Sequence, residues 1–130
     1  MDQLKVWLDD WRPAPDGWVW KKSVEEVKSL LHSGSVSALH LDHDLGGGRA
    51  VYDYTVESGS DLVKWMVDNR SFPGRGIIIH SINPVGREFM YRTLLDAVKR
   101  LNIPIGIGVW PLPDTRTWQK EVEESTWNHY

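Results

Sequence analysis

Carboxylates, histidines and one arginine recur at a few places in this sequence. Asp9-Asp10 closes the apolar run Leu4 to Leu8, and Leu39-His40-Leu41-Asp42-His43-Asp44 runs into Gly46-Gly47-Gly48. Carboxylates brought together repel one another unless a positive group joins them. A hard divalent cation with oxygen ligands is the simplest such group, so Asp9, Asp10, Asp42 and Asp44 are candidate ligands for Mg²⁺ or Mn²⁺. His43 and His80 are candidate proton carriers, because imidazole changes charge near neutral pH. Asp44 is placed equally well to orient one of these histidines. His80-Ser81-Ile82-Asn83-Pro84-Val85-Gly86-Arg87 leads from the most apolar run of the chain into a helical pattern. Backbone N–H groups at a helix start bind anions. A cation in the first turn opposes the helix dipole, which suggests that Arg87 faces an anion. Ser81 and Asn83 can add hydrogen bonds to that anion, or Asn83 simply caps the helix. His32, His40 and His129 lack acidic company, and His40 is expected to point into the cover of the sheet.

These residues need strands to carry them. Leu4–Leu8 reads as a first strand and Trp18–Lys21 as a short second one. Pro13, Pro15 and Gly17 forbid a regular helix between the two. Ser23 and Glu26 have the spacing of a capping box, followed by Val24, Val27, Leu30 and Leu31 on one helical face, with Gly34 as the stop. Ser37–Leu41 is a buried strand. Residues 46–59 form a long polar connection of the kind that is often functional. A helix is expected over Asp61–Asp68, with Leu62, Trp65 and Met66 facing inward. Gly76–Ile79 should be central in the sheet and buried on both sides. The longest helix is expected to start at Gly86 or Arg87, with Met90, Leu94, Ala97, Val98 and Leu101 as its core stripe. Pro104–Trp110 reads as the last strand. Strands alternating with helices imply a five-stranded parallel sheet with right-handed crossovers and helices on both faces. The strand carboxyl ends, with Asp9, Asp10, Asp42, Asp44, His80 and Ser81, then line one edge, where open α/β sheets bind ligands. The division expected is a catalytic domain over residues 1–113 and a polar tail over 114–130 with a surface helix.

Composition narrows the classes. The 130 residues carry a net charge of −3 and no cysteine. Disulfides, zinc–thiolate sites and cysteine nucleophiles are excluded. The charge argues against an extended nucleic-acid surface, though not against a small anion in a local site. No apolar run approaches ~18 residues and no basic, apolar leader opens the sequence, so a cytoplasmic protein without a membrane span is the expectation. There are eight tryptophans. Most should fill the core, while Trp11 and Trp110, just past strand ends, are candidates to stack on a base.

Asp9-Asp10, Asp42 and Ser81 resemble the acidic pair, phosphoacceptor aspartate and hydroxyl residue of response-regulator receiver domains. More closely, Leu8-Asp9-Asp10-Trp11-Arg12-Pro13-Ala14-Pro15, Leu41-Asp42-His43-Asp44-Leu45-Gly46 and His80-Ser81-Ile82-Asn83-Pro84-Val85-Gly86-Arg87-Glu88-Phe89-Met90 resemble the cyclic-phosphate processing receiver domain family, over residues 4 to about 110. The resemblance implies a three-layer, flavodoxin-like fold and the handling of cyclic phosphates. Pro13 and Pro15 stand where ordinary receivers have their first helix. Trp110-Pro111 replaces their Lys-Pro, and His43, Asp44 and His80 are additions. These departures point away from a phosphorelay and keep a phosphate-and-metal site. The expectation is a metal-dependent phosphoesterase whose substrate is a small phosphorylated ligand, a cyclic nucleotide or an RNA 2′,3′-cyclic phosphate end. Asp42, His43 and His80 would be catalytic, and Ser81, Asn83, Arg87 and Arg12 would bind substrate. The alternatives are a sequestering cyclic-nucleotide-binding protein and a phospho-accepting receiver with Asp42 as acceptor.

Overall fold

Short apolar runs and amphipathic stretches alternate along the chain as the sequence implies. The computed structural model describes residues 3–43, 45, 57–81 and 83–109. The elements are β1 (Leu4–Leu8), β2 (Val19–Lys21), α1 (Val24–His32), β3 (Val36–Leu41), α2 (Gly59–Asn69), β4 (Gly76–Ile79), α3 (Pro84–Arg100) and β5 (Gly106–Val109). The five strands form one sheet in the order β2-β1-β3-β4-β5, and every neighbouring pair is parallel. The fold is a receiver-like α/β fold. β3, all six residues buried, is the middle strand. β4, flanked by β3 and β5 and buried throughout, is interior as expected.

Strand order decides where the helices lie. β2 to β3, β3 to β4 and β4 to β5 all step the same way across the sheet, so crossovers of one hand put α1, α2 and α3 on the same face. Their buried residues, among them Val27, Leu31, Leu62, Met66, Met90 and Leu94, form one core with Val6, Leu8, Leu39, Leu41, Ile77 and Ile79. The step from β1 to β2 runs the opposite way, and here Pro13 and Pro15 leave a loop instead of a helix. Trp18 and Ala14 of that loop cover the second face at Trp7, Ala38 and Ile78.

Local signals account for the ends. Ser23 and Glu26 form the expected capping box on α1. A second box, Ser58 with Asp61, starts α2 at Gly59 rather than at Asp61. Asn83 caps α3, which begins at Pro84 and not at Gly86 or Arg87, since proline suits the first helical position. Trp18 lies outside β2, and β5 is shorter than the run from Pro104. The connection over 46–56, Trp110 and the tail over 114–130 lie outside the described residues. No helix among the described residues is long and apolar enough to cross a membrane.

Candidate metal and phosphate site

The sheet ladder continues one residue past each strand, and this is what brings the site together. Asp9 N–H donates to the Lys21 carbonyl, Asp42 N–H to that of Leu8, and His80 N–H to that of Leu41, at 3.1, 3.0 and 2.9 Å. Three residues far apart in sequence thus stand side by side at the carboxyl edge, next to the point where strand order reverses between β1 and β3. One oxygen from each of Asp9, Asp10 and Asp42 lies within 4.8 Å of the others. Three hard carboxylate donors at that spacing fit a divalent cation of the Mg²⁺ or Mn²⁺ type.

The two buried acids are held in opposite states. Asp9 Oδ1 accepts from the backbone N–H groups of Trp11 and Arg12, both at 2.8 Å, and Oδ2 lies 2.9 Å from His80 Nε2. Burial alone would raise the Asp9 pKa. The bond and charge of His80 and the two backbone donors outweigh it and hold Asp9 below the ordinary carboxylate range. Asp42 accepts from His43 N–H at 2.7 Å. Burial, and next the charge of Asp9, push its pKa up to about 7, against the pull of His43, Ser81 and Arg12. Two neighbouring acids driven apart in this way are a mark of functional sites.

The other candidates divide. Arg12 Nη1 lies 3.5 Å from Asp9 and 3.9 Å from Asp42. It thus lies as a counter-charge beside both acids. The Arg87 guanidinium donates to the Ser81 carbonyl at 2.9 Å. That bond gives an arginine in the first turn of α3 an internal partner. Ser81 is fully buried and its hydroxyl accepts from Asn83 N–H at 3.1 Å, so it braces the strand-to-helix turn beside Asp42. His80 is enclosed, with Nε2 on Asp9 and Nδ1 on His40 Nδ1 at 2.6 Å. Its contact with the acids is through Asp9. Asp44 lies outside the described residues. His40, passed over in the sequence, is part of the site's support.

His43 borders an opening. A cavity of about 280 Å³ is lined by His43, Ser60, Lys64, Asn83, Val85, Gly86 and Phe89. Asn83 Nδ2 lies 3.4 Å from His43 Nδ1, and Lys64 Nζ sits 5.5 Å from the centre of the Phe89 ring. Trp11 is 61% exposed, with the Arg12 guanidinium 5.1 Å from its ring centre. A Cβ added at Gly86 would overlap the His43 ring. Gly86→Ala is therefore expected to turn His43 out of place. Alanine's helix preference, about 1 kcal/mol, should keep the fold near wild-type stability. A shifted His43 ring resonance at unchanged melting temperature is the outcome to look for. An unmoved resonance would mean that the ring does not rest on the helix.

A family model described as the cyclic-phosphate processing Receiver domain matches residues 4–96. No curated protein matches the chain.

Proposed function

Because this chain belongs to the cyclic-phosphate processing receiver domain family, we propose that it is a metal-dependent phosphoesterase that opens a cyclic phosphate, in a cyclic nucleotide or at an RNA 2′,3′-cyclic end. The observation that carries this reading is the convergence of Asp9, Asp10 and Asp42 oxygens within 4.8 Å, beside a cavity that His43 borders. Asp9, Asp10 and Asp42 would hold Mg²⁺ or Mn²⁺. A divalent cation there supplies charge to polarise a phosphoryl oxygen and to acidify water. Asp9, held ionised, is the constant anion of the set. Asp42 is the acid whose charge state changes near neutral pH. His43 is placed to hold or move a proton at the ester oxygen that leaves. The cavity between α2 and α3 takes the rest of the ligand, with half-exposed Phe89 as a surface for a base and Lys64 for a second anionic group. At about 280 Å³ the cavity suits a single nucleoside unit.

The test is a panel of cyclic mono-, di- and oligonucleotides and RNA 2′,3′-cyclic phosphates, incubated with Mn²⁺ or Mg²⁺ and read by mass spectrometry. Turnover of one class is expected. His43→Ala should lower kcat about 10²–10⁴-fold, the usual share of a general acid or base, with KM little changed. Binding without turnover would identify a sequestering protein, and a stable acyl phosphate on Asp42 a phospho-accepting domain. Either result defeats the phosphoesterase reading.

A further inference from the structure

The second face of the sheet carries a buried row of polar rings that ends on Asp9. Trp7 of β1 pairs with His40 of β3, and His40 with Ile78 of β4. His80, two residues beyond Ile78, stands on the same face. Trp7 lies nearly flat against both imidazoles, with centroids at 4.4 Å from His40 and 4.3 Å from His80 and interplanar angles of 29° and 17°. Trp18 meets the His40 ring edge-on at 5.6 Å and 83°. Both rings are thereby fixed in plane. His40 and His80 are at most 1% exposed.

An ionised carboxylate only accepts, so His80 Nε2, 2.9 Å from Asp9 Oδ2, carries hydrogen. His80 Nδ1 lies 2.6 Å from His40 Nδ1, and one of these two nitrogens donates to the other. A hydrogen-bonded row thus joins His40, His80 and Asp9. The other Asp9 oxygen is fixed separately by the amides of Trp11 and Arg12.

We propose that His40 is a positioning residue: by holding the His80 ring in place it fixes the Asp9 carboxylate beside Asp10 and Asp42. A histidine that orients a carboxylate ligand from behind is a known means of tuning a metal site. This assignment rests on the reading of Asp9 as a cation ligand, but two of its three readouts need no cation.

Long-range ¹H–¹⁵N correlation spectra of the metal-free protein should show Nε2–H on His80 and one slowly exchanging N–H between His80 Nδ1 and His40 Nδ1. His40→Phe keeps a ring against Trp7 and removes the hydrogen-bonding nitrogen. In that variant, amide exchange of Trp11 and Arg12 should quicken about tenfold, while the amides of Leu39 and Ile78 keep their protection. The Mn²⁺ affinity should fall about tenfold, the lower end for such outer partners. His40→Asn, with an amide near the place of Nδ1, should stay within about twofold of wild type in both measurements. If His40→Phe does not fold, the ring N–H signals and His40→Asn still decide. The absence of an N–H between the two rings, unchanged exchange at Trp11 and Arg12, or a uniform rise across the sheet overturns the proposal. The uniform rise would make His40 a packing residue only. If wild type does not bind Mn²⁺ but the ring N–H signals and exchange behave as expected, the cation reading fails and the positioning of Asp9 stands.

Discussion

Asp42→Asn is expected to stabilise the metal-free protein at pH 8 and to abolish its stabilisation by Mn²⁺. Burial and the charge of Asp9 raise Asp42 from 3.8 to about 7. Between those values the folded state holds a proton that the unfolded chain has released. Stability therefore falls as pH rises through that window and is level above about pH 7. The span is about three pH units, and at about 1.36 kcal/mol for each the buried charge destabilises the protein by up to about 4 kcal/mol. Asparagine carries no such charge, so the variant should gain up to that amount at pH 8 and nothing near pH 4. Denaturation by urea across pH 4–8, with chelator present, measures the difference. Parallel curves for wild type and variant would show that Asp42 is not strained by its charge. With Mn²⁺ at ~100 times its Kd, wild type should gain about 2.7 kcal/mol and the variant little, because a cation needs the ionised ligand.

Asp9→Ala should have the larger and opposite effect. Asp9 accepts from the amides of Trp11 and Arg12 and from His80, and faces the Arg12 guanidinium. Its loss leaves buried His80 and two part-buried amides without an acceptor and a half-buried arginine with only the more distant Asp42. A loss of about 3–5 kcal/mol follows, a large part of the ~5–15 kcal/mol that holds a small domain folded. Asp9→Asn keeps an acceptor for the two amides and should lose less, about 1–2 kcal/mol. The pH sign is reversed relative to Asp42. The Asp9 pKa is lowered, so its contribution is present above the unfolded value and is lost as pH falls through the folded one. The Asn variant should thus approach wild type in strong acid. Equal stability of wild type and Asp9→Ala at pH 7 would mean that the β1 turn does not depend on this carboxylate.

The contrast between Asp9 and Asp42 shows what can be read from one dimension. Strand ends bearing acids, the capping box at Ser23 and the β–α alternation are local patterns, and they gave the receiver-like fold and the meeting of Asp9, Asp10 and Asp42. The box at Ser58 was missed because Gly59 and Ser60 look like loop and the third residue is aspartate rather than glutamate. His40 was missed for a different reason. A histidine between two leucines reads as core, and only the register of three strands puts it beside His80 and Trp7. Arg87 had a sound electrostatic argument behind it, but its partner is a backbone carbonyl six residues back, which no side-chain pattern records. His80 drew attention by its place after the apolar run. That same place encloses it behind Asp9.

The loop that replaces a helix between β1 and β2 also has a bearing on self-association. Among the described residues β2 is the outermost strand on its side, and an outer strand with free N–H and C=O groups is a template for another chain. Here it is three residues long, against a usual length of about five or six. The turn at Asp16-Gly17 precedes it and Lys21-Lys22 ends it. Too few backbone groups remain to align a second molecule, and the paired lysines repel one that carries the same edge. The open side of the sheet is thus protected from edge-to-edge growth by its brevity and charge.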